Sequence, residues 1–143
     1  LLVTRVERLP DLVCTEEMAY TAWSPVVVSL RKANDRYATY LSPEEPAYGE
    51  LLHRNLSQKW QTLPGAPPFP RTKWEFRLLN TPRSKLVSVK SFTSRESKVK
   101  GFQFRFQLKA PVEVHRLMLS SGLGEKNSIG FGWVDQLREK PEQ

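Results

Sequence analysis

The chain is 143 residues long, 39% hydrophobic, and carries a formal net charge of +7. That length supports one domain with a real core and is too short for two ordinary ones, so residues 1–143 are expected to form a single domain. No apolar run approaches the roughly 20 residues of a membrane span, and no signal-peptide pattern opens the chain.

Cys14 is the only cysteine, which excludes a disulfide within the chain and a cysteine-rich zinc site. His53 and His115 are the only histidines, so no metal and no cofactor is expected. A reducing, cytoplasmic setting is the simplest reading. Because the chain begins at Leu1 and not at Met, it reads as a fragment or a processed form. The charge is uneven. Residues 1–70 hold seven basic and eight acidic side chains, whereas residues 71–109 hold eleven basic and two acidic. A basic region this local suggests a polyanionic partner; a solvated, soluble surface is the other explanation.

In chain order, residues 1–9 read as a strand that Pro10 and Asp11 break. Residues 18–30 form a richer apolar, β-branched run. Within it Val26, Val28 and Leu30 are expected on one face, and Pro25 at a strand start or a bulge. Residues 33–36 are a turn, and a short return strand at 37–41 completes a hairpin. Ser42, Pro43 and Glu45 carry a capping-box pattern, which predicts a helix over 42–60. Its apolar stripe is Tyr48, Leu51, Leu52, Leu56 and Trp60, with His53 at the edge as a packed or surface histidine. Residues 62–70 contain too many prolines for a helix or central strand and are expected as an ordered surface loop.

Three strands follow, at 72–79, 84–93 and 99–109. The last has the clearest alternation: Phe102, Phe104, Phe106 and Leu108 on one face, Gln103, Arg105, Gln107 and Lys109 on the other. The aromatic stripe reads as core, because a stacking platform would need an apolar opposite face. A turn at 94–98, flanked by Lys90 and Lys100, makes a basic hairpin tip. A second helix is expected from Pro111 to about Ser120, with His115 buried and satisfied near its apolar side, and a last strand at 129–137. The order strand, helix, two or three strands, helix, strand is the α+β, ferredoxin-like (RRM-like) βαββαβ pattern with an extra β-hairpin.

Between the second helix and the last strand lies a glycine-rich loop. Four of the seven glycines, Gly122, Gly124, Gly130 and Gly132, flank Lys126, Asn127 and Ser128. Such a loop can turn several N–H groups onto one anion, with a lysine adding charge, and phosphate is the obvious anion. A helix C-cap followed by a tight turn is the structural alternative; it explains one glycine pair but not two.

Residues 122–132 resemble the C-terminal glycine-rich loop of the CRISPR repeat-RNA processing endoribonucleases, the Cas-six family within the RAMP superfamily. Two weaker echoes keep the family's order. Trp23-Ser-Pro-Val-Val27 is similar to its Ser-Pro-hydrophobic strand, and Asn55-Leu-Ser-Gln-Lys-Trp60 to the end of a helix in its C-terminal domain. The resemblance implies two tandem ferredoxin-like domains, of which this chain is the second, so a missing N-terminal ferredoxin-like domain is one expected partner. It implies CRISPR repeat RNA as the other partner and a CRISPR effector complex as a further association, with no membrane. The RNA contacts it implies are Gly122, Gly124, Lys126, Asn127, Ser128, Gly130 and Gly132 on the loop and Arg95, Lys98 and Lys100 on the hairpin.

The family reaction is metal-free: a ribose 2′-hydroxyl attacks the adjacent phosphate, leaving a 2′,3′-cyclic phosphate and a free 5′-hydroxyl. Its general acid/base histidine usually lies in the N-terminal half, so no catalytic residue is expected here. Two other functions fit the same residues: a domain of a catalytically silent RAMP subunit that holds guide RNA, and a protein-interaction domain whose glycine loop is only a turn.

Overall fold

The computed structural model describes residues 16–30, 39–69, 74–90 and 96–137. The strand expected at 1–9, the turn at 33–36 and residues 94 and 95 of the turn expected at 94–98 lie outside them.

Four strands form the central sheet: β1 (Glu17–Ala22), β4 (Glu75–Leu78), β7 (Arg105–Lys109) and β8 (Val134–Gln136). Their order is β4-β7-β1-β8, and every neighbouring pair is antiparallel. Helices α1 (Tyr48–Gln61) and α2 (Val112–Ser121) complete the split βαβ units. This strand order is the ferredoxin-like arrangement expected from the element order.

The strand alternation puts Tyr20, Phe106, Leu108 and Val134 in the core, while Glu75, Arg77, Arg105 and Lys109 stand outside. Helix α1 buries Leu52, Leu56 and Trp60, and α2 buries Val114, Leu117 and Met118. The aromatic stripe is core as expected: Phe104 and Phe106 are almost fully buried, and Phe106 packs on Phe76 at 5.4 Å between ring centroids.

Several expected boundaries move. Helix α1 starts at Tyr48, not at 42, and Ala47 at its N-cap makes no side-chain cap bond. Pro46 is the reason: inside the expected helix it would lack the N–H that bonds back to Ser42. The capping-box residues instead form tight turns, with Glu45 N–H donating to Ser42 O at 2.9 Å. The 99–109 strand is two strands, β6 (Glu96–Gln103) and β7, separated at Phe104. Strand β6 pairs with β5 (Arg83–Lys90) as a separate hairpin, and β7 joins the main sheet. Residues 96–98, expected in the turn at 94–98, lie in that ladder instead, with Glu96 facing Lys90. The last strand starts at Val134. Residues 127–129 form a 3-10 turn instead, leaving Ile129 55% exposed.

The run 23–30 is also not a half-buried strand. Among the described residues, strand β2 covers Ser29–Leu30 and pairs with β3 (Thr39–Tyr40), as expected of the hairpin. Val26, Val27 and Val28 are all buried, and it is Leu30 that is exposed. The segment threads between β6 and the glycine loop, so both of its faces are covered.

Both histidines lie inside. His53 packs edge-on against Phe69 and Trp74. His115 is fully buried; its Nε2 lies 2.9 Å from Glu16 O and its Nδ1 2.7 Å from Tyr20 Oη. A carbonyl only accepts, so Nε2 carries the proton and Nδ1 accepts from the tyrosine. Burial holds His115 below its ordinary 6.5, against weaker opposing bonds to the Glu16 and Ala110 backbone. The unfolded chain therefore takes up a proton that the folded chain refuses, and stability is lost as pH falls through about 6.5. The stability gap between the parent and His115→Gln is expected to narrow between about pH 7 and pH 5, as read from urea midpoints; a constant gap contradicts this. The Tyr48 hydroxyl is buried with no hydrogen-bond partner among the described residues. Tyr48→Phe is accordingly expected to raise stability by about 1 kcal/mol in the same assay.

Candidate functional site

The loop over 122–132 leaves α2 and returns to β8. Gly122 caps the helix, its N–H donating to Met118 O at 2.9 Å. Leu123 N–H then donates to Gly132 O at 2.8 Å, which closes the loop across its base. Asn127 fills the enclosed space, and its Nδ2 donates to Leu123 O at 3.1 Å and Phe131 O at 2.9 Å. One side-chain amide thus satisfies carbonyls on both arms.

Two of the glycines exist to make room for that amide. A Cβ on Gly122 would sit 2.6 Å from Asn127 Nδ2, and one on Gly132 would strike both that atom and the Leu123 carbonyl. Gly124 serves a different contact, since a Cβ there would come within 2.5 Å of Val27 O. All three also have positive φ, which glycine adopts at no steric cost. Gly130, at φ +104°, has nothing within 4 Å of its missing Cβ.

The outer turn is what the loop presents. Lys126, Ser128 and Gly130 are exposed, while Gly122, Gly124 and Gly132 are buried. Lys126 sits at φ 60° and ψ 33°, the one non-glycine residue with positive φ among the described residues. That conformation costs roughly 1–2 kcal/mol for a residue with a Cβ. Its carbonyl accepts from Ile129 and Phe131, and the N–H groups of Lys126, Asn127 and Ser128 take no part in the loop's own bonds.

The loop is laced to the segment after β1. Trp133 N–H donates to the Ser24 hydroxyl at 2.9 Å, Gly132 N–H to Pro25 O at 2.7 Å, and Glu125 N–H to Val27 O at 2.8 Å. The Glu125 carboxylate accepts from both the N–H and the hydroxyl of Ser29. On its other side the same segment meets the hairpin, where Val26 and Phe102 exchange two backbone bonds. Val27, Val99 and Phe131 then form a small second core, with Val87 and Val89 against it. The glycine loop and the basic hairpin, far apart in sequence, therefore rest on one scaffold.

On the hairpin, Lys98 and Lys100 are exposed on β6, opposite Ser88 and Leu86. Lys100 Nζ lies 5.5 Å from the centroid of the Phe102 ring. Arg95 lies outside the described residues. Among the described residues, no group of His, Cys, Asp and Glu could hold a metal ion, and no helix is long and apolar enough to cross a membrane. A cleft of about 240 Å³ runs between α1 and the loop, with Arg54, Asn55, Gln58 and Glu125 at its walls.

Sequence reasoning missed Lys59. From α1 it donates to Gly122 O at 2.7 Å and so ties the first helix to the start of the loop. Burial pushes its amine down to about 8. The available signal was position: Lys59 follows Leu52 and Leu56 at helical spacing, on the buried face and not on the solvent face. The role of Asn127 as an inward keystone, in place of a surface donor, was equally out of reach, because it depends on where residues 123 and 131 meet.

The chain matches the family model described as CRISPR associated protein Cas6, C-terminal, over residues 9–136. No curated protein matches its sequence. Among solved structures it is similar to the product of a Cas6-related gene from Pyrococcus furiosus, with a TM-score of 0.73 and 19% identity, covering 89% of this chain and 50% of that one. It is also similar to a RAMP protein described as binding different RNA substrates (TM-score 0.71, 21% identity, 87% and 50% covered). Thermus thermophilus Cas6 is a third (TM-score 0.59, 18% identity, 92% and 57% covered). The chain thus spans about half the length of these structures, and at such identities the likeness concerns the fold. With the family model matching nearly the whole chain, this protein belongs to the Cas6 family and corresponds to its C-terminal domain.

Proposed function

We propose that this domain binds CRISPR repeat RNA through the outer turn of the glycine loop and the basic hairpin, and that it supports cleavage chemistry supplied by an N-terminal domain. The observation that carries the proposal is the strained, exposed Lys126, held in the left-handed region by a loop whose two arms Asn127 bonds together. Strain of this kind persists where the surrounding structure enforces it, and it collects at functional sites. Lys126, the neighbouring N–H groups and Ser128 offer charge and donors to one phosphate. Lys98 and Lys100 extend the positive surface, and Arg95 is the further hairpin contact proposed. Gly122, Gly124, Asn127 and Gly132 act from beneath, by holding the turn in shape, and Gly130 leaves its outer side open.

Chemistry by this chain alone is not part of the proposal. Both histidines are enclosed, and His115 has both ring nitrogens engaged, so neither is available to a ribose hydroxyl or a leaving oxygen. The parent enzyme would use the 2′-hydroxyl as nucleophile and release a 2′,3′-cyclic phosphate. The same binding surface fits a catalytically silent RAMP subunit that holds guide RNA, and cleavage by the full-length parent separates the two.

The test is binding of labelled repeat RNA across a salt series. The logarithm of affinity is expected to fall linearly with the logarithm of salt, and Lys126→Ala to shallow that slope by about 0.7. Salt-insensitive or absent binding would sink the proposal. Lys126→Gly gives a sharper contrast. It is expected to weaken binding as Lys126→Ala does, yet to leave the domain at least as stable as the parent, because about 1 kcal/mol of relieved strain offsets the entropy glycine loses. Thermal melts should further rank the glycines: Gly132→Ala should lose about 2–5 kcal/mol through collision and strain, whereas Gly130→Ala should lose about 1 kcal/mol through strain alone.

A further inference from the structure

A second surface lies beside the loop, between α2 and the β8 edge. There Trp23 and Trp133 wall a cleft of about 610 Å³, with Leu119 on its side and Arg116, Ser120 and Asp135 among its polar lining. Trp23 is 62% exposed, the most exposed tryptophan among the described residues. Its backbone is fixed on both sides: Trp23 N–H donates to Trp133 O at 3.0 Å, and Gln103 Nε2 donates to Trp23 O at 3.1 Å. The other wall is oriented by the loop itself, since Trp133 Nε1 donates to Asn127 O at 3.3 Å. The cleft and the loop's outer turn are therefore joined through Trp133 and Asn127.

We infer that this cleft receives an unpaired nucleobase of the RNA, stacked on the Trp23 indole, with its edge or flanking phosphate met by Arg116 and Ser120. The inference rests on the RNA-binding reading of the glycine loop and adds a subsite to it. Three observations favour a base over a protein segment. The cleft adjoins the turn from Lys126 to Gly130, because Trp133, one of its walls, is bonded to Asn127 within that turn. Arg116 and Asp135 in its lining offer a donor and an acceptor, which suits a base edge, whereas the centre of a protein interface is depleted of charge. The volume falls within the roughly 300–1,000 Å³ of small-ligand sites. An exposed indole is the element that single-stranded RNA binders use for stacking, and it tolerates any base.

The experiment titrates the chain with a short single-stranded oligoadenylate and, in parallel, with repeat RNA, following tryptophan quenching and the anisotropy of the labelled RNA. Trp23→Ala is expected to weaken oligoadenylate binding about tenfold while leaving the salt slope unchanged, since a stack and not a phosphate contact is lost. Trp23→Phe should retain most of the affinity. The side chain is exposed, so the melting temperature should not move. Parent-like binding by Trp23→Ala overturns the inference while the RNA-binding reading stands. Failure of the parent itself to bind either RNA overturns both. A dimer that Trp23→Ala dissociates in sedimentation velocity, with RNA affinity unchanged, makes the cleft a contact between copies of the chain and overturns the inference as well.

Discussion

The whole arrangement hangs on four residues, Ser24 to Val27, that run between the hairpin and the glycine loop. Each carries a backbone or hydroxyl bond to one neighbour or the other: Ser24, Pro25 and Val27 to the loop, Val26 to Phe102. The approach is so close that glycine is required on both flanks. A Cβ on Gly101 would sit 2.7 Å from the Pro25 ring, and one on Gly124 would meet Val27 O. With no side chain in the way, the backbones bond directly, and the buried N–H and carbonyl groups of an irregular segment find partners they would otherwise lack. Pro25 suits the place because it needs no donor there and its carbonyl accepts from Gly132. Fold and candidate site are thus one construction.

Within the loop, labour is divided between interior and exterior. Asn127 faces inward and bonds both arms, while Lys59 reaches from α1 to the Gly122 carbonyl and fixes the loop to the helical layer. A lysine amine taken partly out of water loses hydration, and burial lowers its proton affinity. The outside of the loop makes few protein contacts. The glycine-rich composition consequently reflects two needs: space for Asn127 and Val27 underneath, and an unobstructed turn at Gly130 on top. This shifts the meaning of the motif. Its buried glycines are a mould, and the lysine it holds is the feature presented.

Much of the fold was legible from periodicity and punctuation. The alternation of Phe102, Phe104, Phe106 and Leu108 against polar neighbours, the stripe on α1 and the Pro111 start of α2 all correspond to what the strands and helices bury. What periodicity misses is where a strand changes partners. Residues 102–109 keep one alternation, yet the chain passes at Phe104 from the hairpin to the central sheet, and that alternation does not mark the passage. Likewise Val26 to Val28 alternate with nothing, because covering on both faces removes the demand for a polar side. The capping-box pattern at Ser42 misled for a local reason that was in view, Pro46 four residues on.

By itself the sequence determined the class of fold, the position of the glycine loop between α2 and β8, and the concentration of positive charge in one region, because each follows from neighbouring residues and their spacing. The tertiary structure alone decided which glycines are buried and which is open, that Asn127 points inward, that Lys126 is strained, and that loop, hairpin and Trp23 meet around one segment. These depend on contacts between residues about a hundred positions apart, such as Ser24 with Trp133, and spacing along the chain carries no information about such meetings.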